Sequence, residues 1–290
     1  MTLSGLLIQL LNGLAGASSL FLVGAGLSLI FGVTRIVNFA HGSFYMLGIY
    51  VAYALTDRLG SAWFWPALLI APIAVGLVGA LVEVTLLRRV YRAPELFQLL
   101  ATFALLLVIK DAALWLWGPE DLLGPRAPGL SHAVEILGRQ FPTYDLFLIV
   151  VGPIVLGLLW LLLTRTRWGT LVRAATQDRE MVGALGVNQA WLFTAVFALG
   201  TMLAGFGGAL QLPREPANLG LDLLTIGDAF VVVVVGGMGS ILGAIVTGYL
   251  LGVVEGLAKV FYPEASNIVI FVIMAIVLIL RPAGLFGKDV

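Results

Sequence analysis

The chain has 290 residues, 60% of them hydrophobic and only 11% charged, with a mean hydropathy of +1.06. Ordinary globular chains are roughly 45–50% apolar and about 25% charged, so a soluble domain is excluded and a polytopic helical membrane protein is indicated. Sixteen basic residues balance sixteen acidic ones, which gives no electrostatic reason for a nucleic-acid partner, and the lack of cysteine excludes disulfides and thiolate metal sites.

A membrane span needs about 20 mostly apolar residues. Leu3–Phe31 supplies the first, and its lack of Lys or Arg leaves no basic region of a cleavable signal. Gly32–Asn38 turns the chain, and Phe39–Leu55 follows as a second span that opens on the polar sequence NFAHG. Trp63–Leu87 and Leu96–Trp117 are the third and fourth, the latter closed by interfacial tryptophans. A Pro/Gly-rich loop, residues 118–142, leads to the fifth span, Tyr144–Leu163. A charged island, residues 165–187, precedes the sixth, Gln189–Leu212. Leu223–Val235 and Ile241–Leu257 hinge at GGMGS, Gly236–Ser240, and Asn267–Leu280 ends the series before the tail RPAGLFGKDV. The expected fold class is all-α, a transmembrane bundle of about eight to nine segments. Leu223–Val235 is short enough to be a re-entrant half-helix, which is tolerated where it is buried in protein or lines a cavity.

Orientation follows from the basic residues. With the N-terminus outside and Gly236–Ser240 a turn, the cytoplasmic segments hold Arg35, Arg88, Arg89, Arg92, Arg165, Arg167, Arg173, Arg179, Arg281 and Lys288. The outer segments hold Arg58, Arg126, Arg139, Arg214 and Lys259, and ten against five favours a cytoplasmic C-terminus. Single cysteines at Thr2 and Lys288 are then expected to label from opposite faces.

Four features carry the functional reading. The first is the island itself, RTRWGTLVRAATQDREMVGALG. Its second half reads as a short helix: Ala174, Ala175, Met181, Val182, Ala184 and Leu185 form an apolar stripe, Arg173, Asp178 and Glu180 a charged side, and Gly186 a stop. Such a helix suits docking to a soluble partner, and equally a solvated connector. The second is the pair of broken segments, Asn38, Phe39, His41 and Gly42 in one half and Gly236, Gly237, Met238, Gly239 and Ser240 in the other. Interrupted segments in the two halves of a transporter mark its pathway. Asn38 fits an N-cap, and His41 is a substrate-handling group or a packed histidine. The third is intramembrane charge: Lys110 and Asp111 within span four, expected to be buried against protein, and Asp228 near the start of span seven. Asp228 and Glu255 are placed to line an outer vestibule. The fourth is the glycine repeat on spans six and eight, which reads first as close helix packing. No nucleotide-binding loop, catalytic constellation or metal cluster is present in the sequence.

Four stretches together resemble the permease subunits of branched-chain amino-acid ABC importers, the Liv type. They are GLSLIFGVTRIVNFAHGSFYMLGIYVAY (Gly26–Tyr53), LLRRVYR (Leu86–Arg92), RAATQDREMVGALGVN (Arg173–Asn188), and AFVVVVVGGMGSILGAIVTGYLLGVVEGL (Ala229–Leu257) with RPAGLFG. The resemblance spans nearly the whole chain and points to the shorter, H-like permease. It implies a single permease domain over residues 1–290 in a bacterial or archaeal inner membrane, among lipid. It also implies a second homologous permease, two cytoplasmic ATPase subunits that use the ATP, and a periplasmic or lipid-anchored binding protein that delivers Leu, Ile or Val. No cofactor is expected on this chain. Asp228 stands where the family commonly has Lys, and Lys110 and Asp111 where it has neutral polar residues, which leaves urea, amides and other small solutes open as substrates. The competing reading is an ion-coupled secondary transporter or channel, which would need no docking helix.

Overall fold

The computed structural model describes residues 3–261 and 263–287; Thr2 and Lys288 lie outside them. Eleven principal helices appear among these residues. They are α1 (Leu3–Thr34), α2 (His41–Leu59), α3 (Phe64–Val82), α4 (Glu95–Trp117), α5 (Thr143–Arg165) and α6 (Arg167–Gln177). The rest are α7 (Arg179–Ala184), α8 (Gln189–Gln211), α9 (Leu221–Gly236), α10 (Ile241–Phe261) and α11 (Ser266–Leu280). Six of these segments, α1, α3, α4, α5, α8 and α10, are long and apolar enough to cross a membrane. Helix α3 continues through a π-turn, Glu83–Leu87, to Val90. The molecule is a helical bundle in which α1 and α8 are buried along most of their length while α4 and α5 stand at the periphery.

Small residues set the packing. Helix α2 crosses α8 where Gly48 rests on the Gly205 carbonyl and Gly208 on the Tyr45 carbonyl, so the two backbones touch. Without a hydrophobic drive between helices in lipid, such close approach is what gains van der Waals contact. Helix α10 packs along α1 in the same manner, with Gly252 and Gly256 against Ala17 and Gly13.

One arrangement is used twice. Helix α1 is followed by an irregular stretch, 35–40, and then α2; α8 is followed by an irregular stretch, 212–220, and then α9. Asn38 Oδ1 accepts from the Ala40 N–H at 3.2 Å, and Asn218 Oδ1 from the Gly220 N–H at 2.9 Å. In each case the first helical N–H, of His41 or Leu221, donates to that asparagine's carbonyl. These are Asx turns, which use the short amide side chain to imitate a backbone turn. Asn38 therefore shapes the turn before α2 and is not its N-cap; that position falls to Ala40, with no side-chain cap. The two helix starts meet at Gly42, which packs on the Asp222 carbonyl. Around this pair α1 packs on α10 as α8 packs on α3.

Part of the expected loop 118–142 is ordered as a hairpin, β1 (Ala133–Ile136) with β2 (Arg139–Pro142), in the register Ile136↔Arg139. Leu137 and Gly138 both have positive φ, 50° and 77°, the signature of a two-residue type I′ turn. The same loop bridges to the stretch before α9 through Leu122 and Ala217.

Candidate functional site

A cavity of about 640 Å³ opens between α1, α9, α10 and α11. Its walls carry Asn12 and Ser19 of α1, Arg214 and Glu215 beyond α8, Asp228 of α9, and Glu255 and Lys259 of α10. Leu20, Ile270 and Phe271 add apolar surface, and Val23, Tyr45 and Leu221 also line it. Arg214 Nε lies 3.1 Å from Asp145 Oδ1, and Lys259 Nζ 2.7 Å from Glu255 Oε1. Loss of solvent around Glu215, with Glu255 adding to it and Arg214 and Lys259 opposing, pushes its carboxyl above the usual range. Both signs of charge therefore share one concave, partly apolar space, the form of a small-solute site.

His41, one helical turn from Tyr45, is fully buried and its Nε2 lies 3.0 Å from the Val23 carbonyl. Asn38 and Asp222 are buried beside it where the starts of α2 and α9 meet. Asp222 Oδ1 accepts from Lys110 at 3.4 Å, and Oδ2 is unpartnered, as are His41 Nδ1, Asn38 Nδ2 and Ser43 Oγ. Phe39 packs on Phe230 of α9, with ring centroids 5.1 Å apart. Phe39 and Phe230 thus lock the stretch before α2 against α9.

The segment Gly236–Ser240 is a tight turn between α9 and α10 and lines no part of the cavity. Gly237 has φ 99° and Gly239 φ 80°. The tail covers Gly237: the N–H groups of Leu285 and Phe286 donate to the carbonyls of Val235 and Gly236, at 2.8 and 3.1 Å. This answers two of the carbonyls a helix leaves open at its C-terminus. A side chain at Gly237 would strike Gly287, so any substitution there would dislodge the tail. Ser240 caps α10 through its hydroxyl, and Met238 is exposed.

The intramembrane charges separate. Lys110 pairs inward with Asp222, whereas Asp111 faces outward and is exposed, contrary to the expectation that both are buried. Neighbouring residues on a helix point about 100° apart, so one face cannot hold both. Asp228 and Glu255 line the cavity.

The charged island forms two helices, broken at Asp178, in place of one. Thr166 caps α6 and Asp178 caps α7 by accepting from the Gly169 and Met181 N–H groups. Gly186 (φ 86°) terminates α7. The expected single stripe splits between two faces. Ala175 and Val182 are buried against the bundle and Ala174 is half-buried, while Met181 and Leu185 are 57% and 76% exposed. Arg173, Asp178 and Glu180 are exposed beside them. Arg35, at the end of α1, holds a left-handed backbone (φ 60°) and donates through Nη2 to the Thr176 carbonyl at 2.9 Å. It links the C-terminus of α6 directly to the stretch that carries Asn38. The sequence patterns missed Asp222, Arg35 and the tail; the repeated asparagine, Asn38 and Asn218, was the available signal for the first.

A multi-pass helical bundle with an open, mixed-charge cavity and an amphipathic surface segment defines a membrane permease. The chain belongs to the family described as branched-chain amino acid transport system / permease component, whose model matches residues 9–278. It is 29% identical over 295 residues to the high-affinity branched-chain amino acid transport system permease protein BraD of Pseudomonas aeruginosa, covering 97% of this chain and 95% of the relative. It is 26% identical over 297 residues to LivH of Escherichia coli strain K12, covering 97% and 95%. It is also 26% identical over 287 residues to LivM of the same strain, covering 91% and 67%. These relatives are permease components of transport systems, not enzymes, and they come in two kinds, which fits a permease pair. No solved structure matches the chain.

Proposed function

We propose that this chain is one of two permease subunits of an ATP-driven ABC importer for branched-chain amino acids or a closely related small polar solute. The observation that carries this reading is the mixed-charge cavity, at the opposite end of the bundle from the arginine-bearing helices α6 and α7, in a chain of this family. A zwitterionic amino acid needs a cation, an anion and an apolar wall; Arg214 and Lys259, Asp228 and Glu215, and Ile270 with Phe271 offer them. The N-terminus and the cavity face outward, toward a binding protein that delivers the solute, and the C-terminus is cytoplasmic. ATP is bound by two partner subunits, so this chain carries no cofactor. The junction of Asn38, His41, Gly42 and Asp222 closes the cavity toward the cytoplasm and parts during the cycle. The Asp222 carboxylate and the Asn38 and His41 side chains, buried in the closed junction, then face water.

Helices α6 and α7 dock on a cytoplasmic ATPase through the outward face of Met181 and Leu185, with Arg173 and Glu180 at the rim. Replacing Met181 and Leu185 together by glutamate is expected to weaken co-purification of the ATPase by tenfold or more, on the scale of about 2 kcal/mol per anchor side chain. Insertion in the membrane is expected to be unchanged. Equal recovery of the ATPase would return these helices to the role of a solvated connector.

Arg35 transmits the motion of α6 to Asn38 and α2. Arg35→Ala removes its bond to Thr176 and is expected to leave ATP hydrolysis intact while uptake per ATP falls several-fold. Unchanged coupling would remove Arg35 from the transmission.

A further inference from the structure

Helix α4 presents a charge outward that its own chain does not answer. Leu100, Leu107, Val108 and Trp115 form an exposed apolar stripe, and Asp111 lies exposed within it, sixteen residues past Glu95. Lys110 is turned away and engaged by Asp222, and no ion pair to Asp111 forms among the described residues. Helix α4 stands at the edge of the bundle, packed mainly along α2. A carboxylate on the lipid face of a spanning helix is costly, and such groups are found facing protein or a water-filled space.

We infer that the outward face of α4 is the contact surface for a second, homologous permease subunit, which meets Asp111 with a basic or hydrogen-bond-donating side chain. This rests on the reading of a permease pair and specifies what that reading leaves open: the face and its chemistry. The position of Asp111, deep in a spanning helix, excludes the soluble ATPase and binding protein as occupants. A second copy of this chain is disfavoured as well. A two-fold contact centred on α4 sets the same patch against itself, which would oppose Asp111 to Asp111.

The test uses the whole transporter expressed in membranes, with benzoylphenylalanine in place of Leu107 and, as control, of Leu77 on the exposed side of α3. Light is expected to join the Leu107 variant to the second permease, identified by mass, and to leave the Leu77 variant unjoined. Adducts at Leu107 with lipid alone or with a second copy of this chain would overturn the inference. Co-purification of the two permeases from unirradiated membranes separates the cases: a pair that purifies without a Leu107 adduct rejects the α4 face and keeps the pair, and a pair that does not purify rejects both. Asp111→Asn is expected to keep at least half of the co-purified partner and Asp111→Lys to lower it tenfold or more. Equal recovery with lysine would show that no cation or donor faces this position.

Discussion

Valine in place of Gly48 is expected to prevent assembly of the bundle. The Cβ of any side chain at Gly48 would fall on the Gly205 carbonyl, carbon and Cα, all backbone, at the crossing of two buried helices. Overpacking with a yielding neighbour costs typically 1–3 kcal/mol, and a backbone neighbour does not yield without shifting a helix, so the cost here lies at or above that upper end, roughly 3 kcal/mol. The crossing also positions Tyr45, whose carbonyl receives Gly208 and whose ring lines the cavity. Gly48→Val is therefore expected to abolish the monodisperse peak in detergent and to lose uptake with it. Gly48→Ala brings the same Cβ against the same backbone and is expected to lose most of the yield as well. A monodisperse, active valine variant would mean that the crossing is looser than described.

The second large effect is expected at Arg88. Glu83 is fully buried in the π-turn that ends α3, where its Oε2 accepts from Arg88 at 3.1 Å and from the Thr194 hydroxyl at 2.5 Å. Arg88 also reaches the Ala190 carbonyl at 3.3 Å, so the cluster fastens α3 to the first turn of α8, beside the segment proposed to dock. Removing one partner of a buried pair costs roughly 3–5 kcal/mol, because the other charge stays buried without compensation. Arg88 is itself 38% exposed, which places Arg88→Met nearer about 2–3 kcal/mol once solvent screening is counted. The measurement is thermal unfolding in detergent. Adding Glu83→Gln to Arg88→Met should restore most of the loss, since no buried charge then remains. A double variant no more stable than Arg88→Met alone would contradict this.

What could be read from the residues and what could not divide along one physical line. Apolar length marks α1, α3, α4, α5, α8 and α10, because lipid demands it of each segment by itself. The charged island stands out for the same reason, as do Asp228 and Glu255 as carboxylates near the ends of apolar runs. Pairings across the fold carry no such local mark. Lys110 and Asp222 are 112 positions apart, and nothing in α4 says which distant residue it meets. Helix α1 is apolar all round, so its sequence names no face. The glycines of GGMGS invited a comparison with NFAHG, yet the structural counterpart of Asn38 is Asn218, which opens no glycine-rich motif. The split of the island's apolar stripe had a visible cause: Asp178 is a good N-cap, and an N-cap within a helical pattern starts a second helix. The strands of residues 133–142 are four residues each and turn through Leu137–Gly138, which is not one of the usual hairpin pairs, so the hairpin left no clear sign.

Uptake of leucine by the reconstituted transporter tests the central claim most directly: this chain with the second permease and the ATPases in liposomes, ATP inside and the binding protein outside. The expected result is accumulation that requires ATP and the binding protein together and is lost when Met181 and Leu185 are replaced by glutamate. Accumulation that follows an ion gradient and continues without ATP would contradict it.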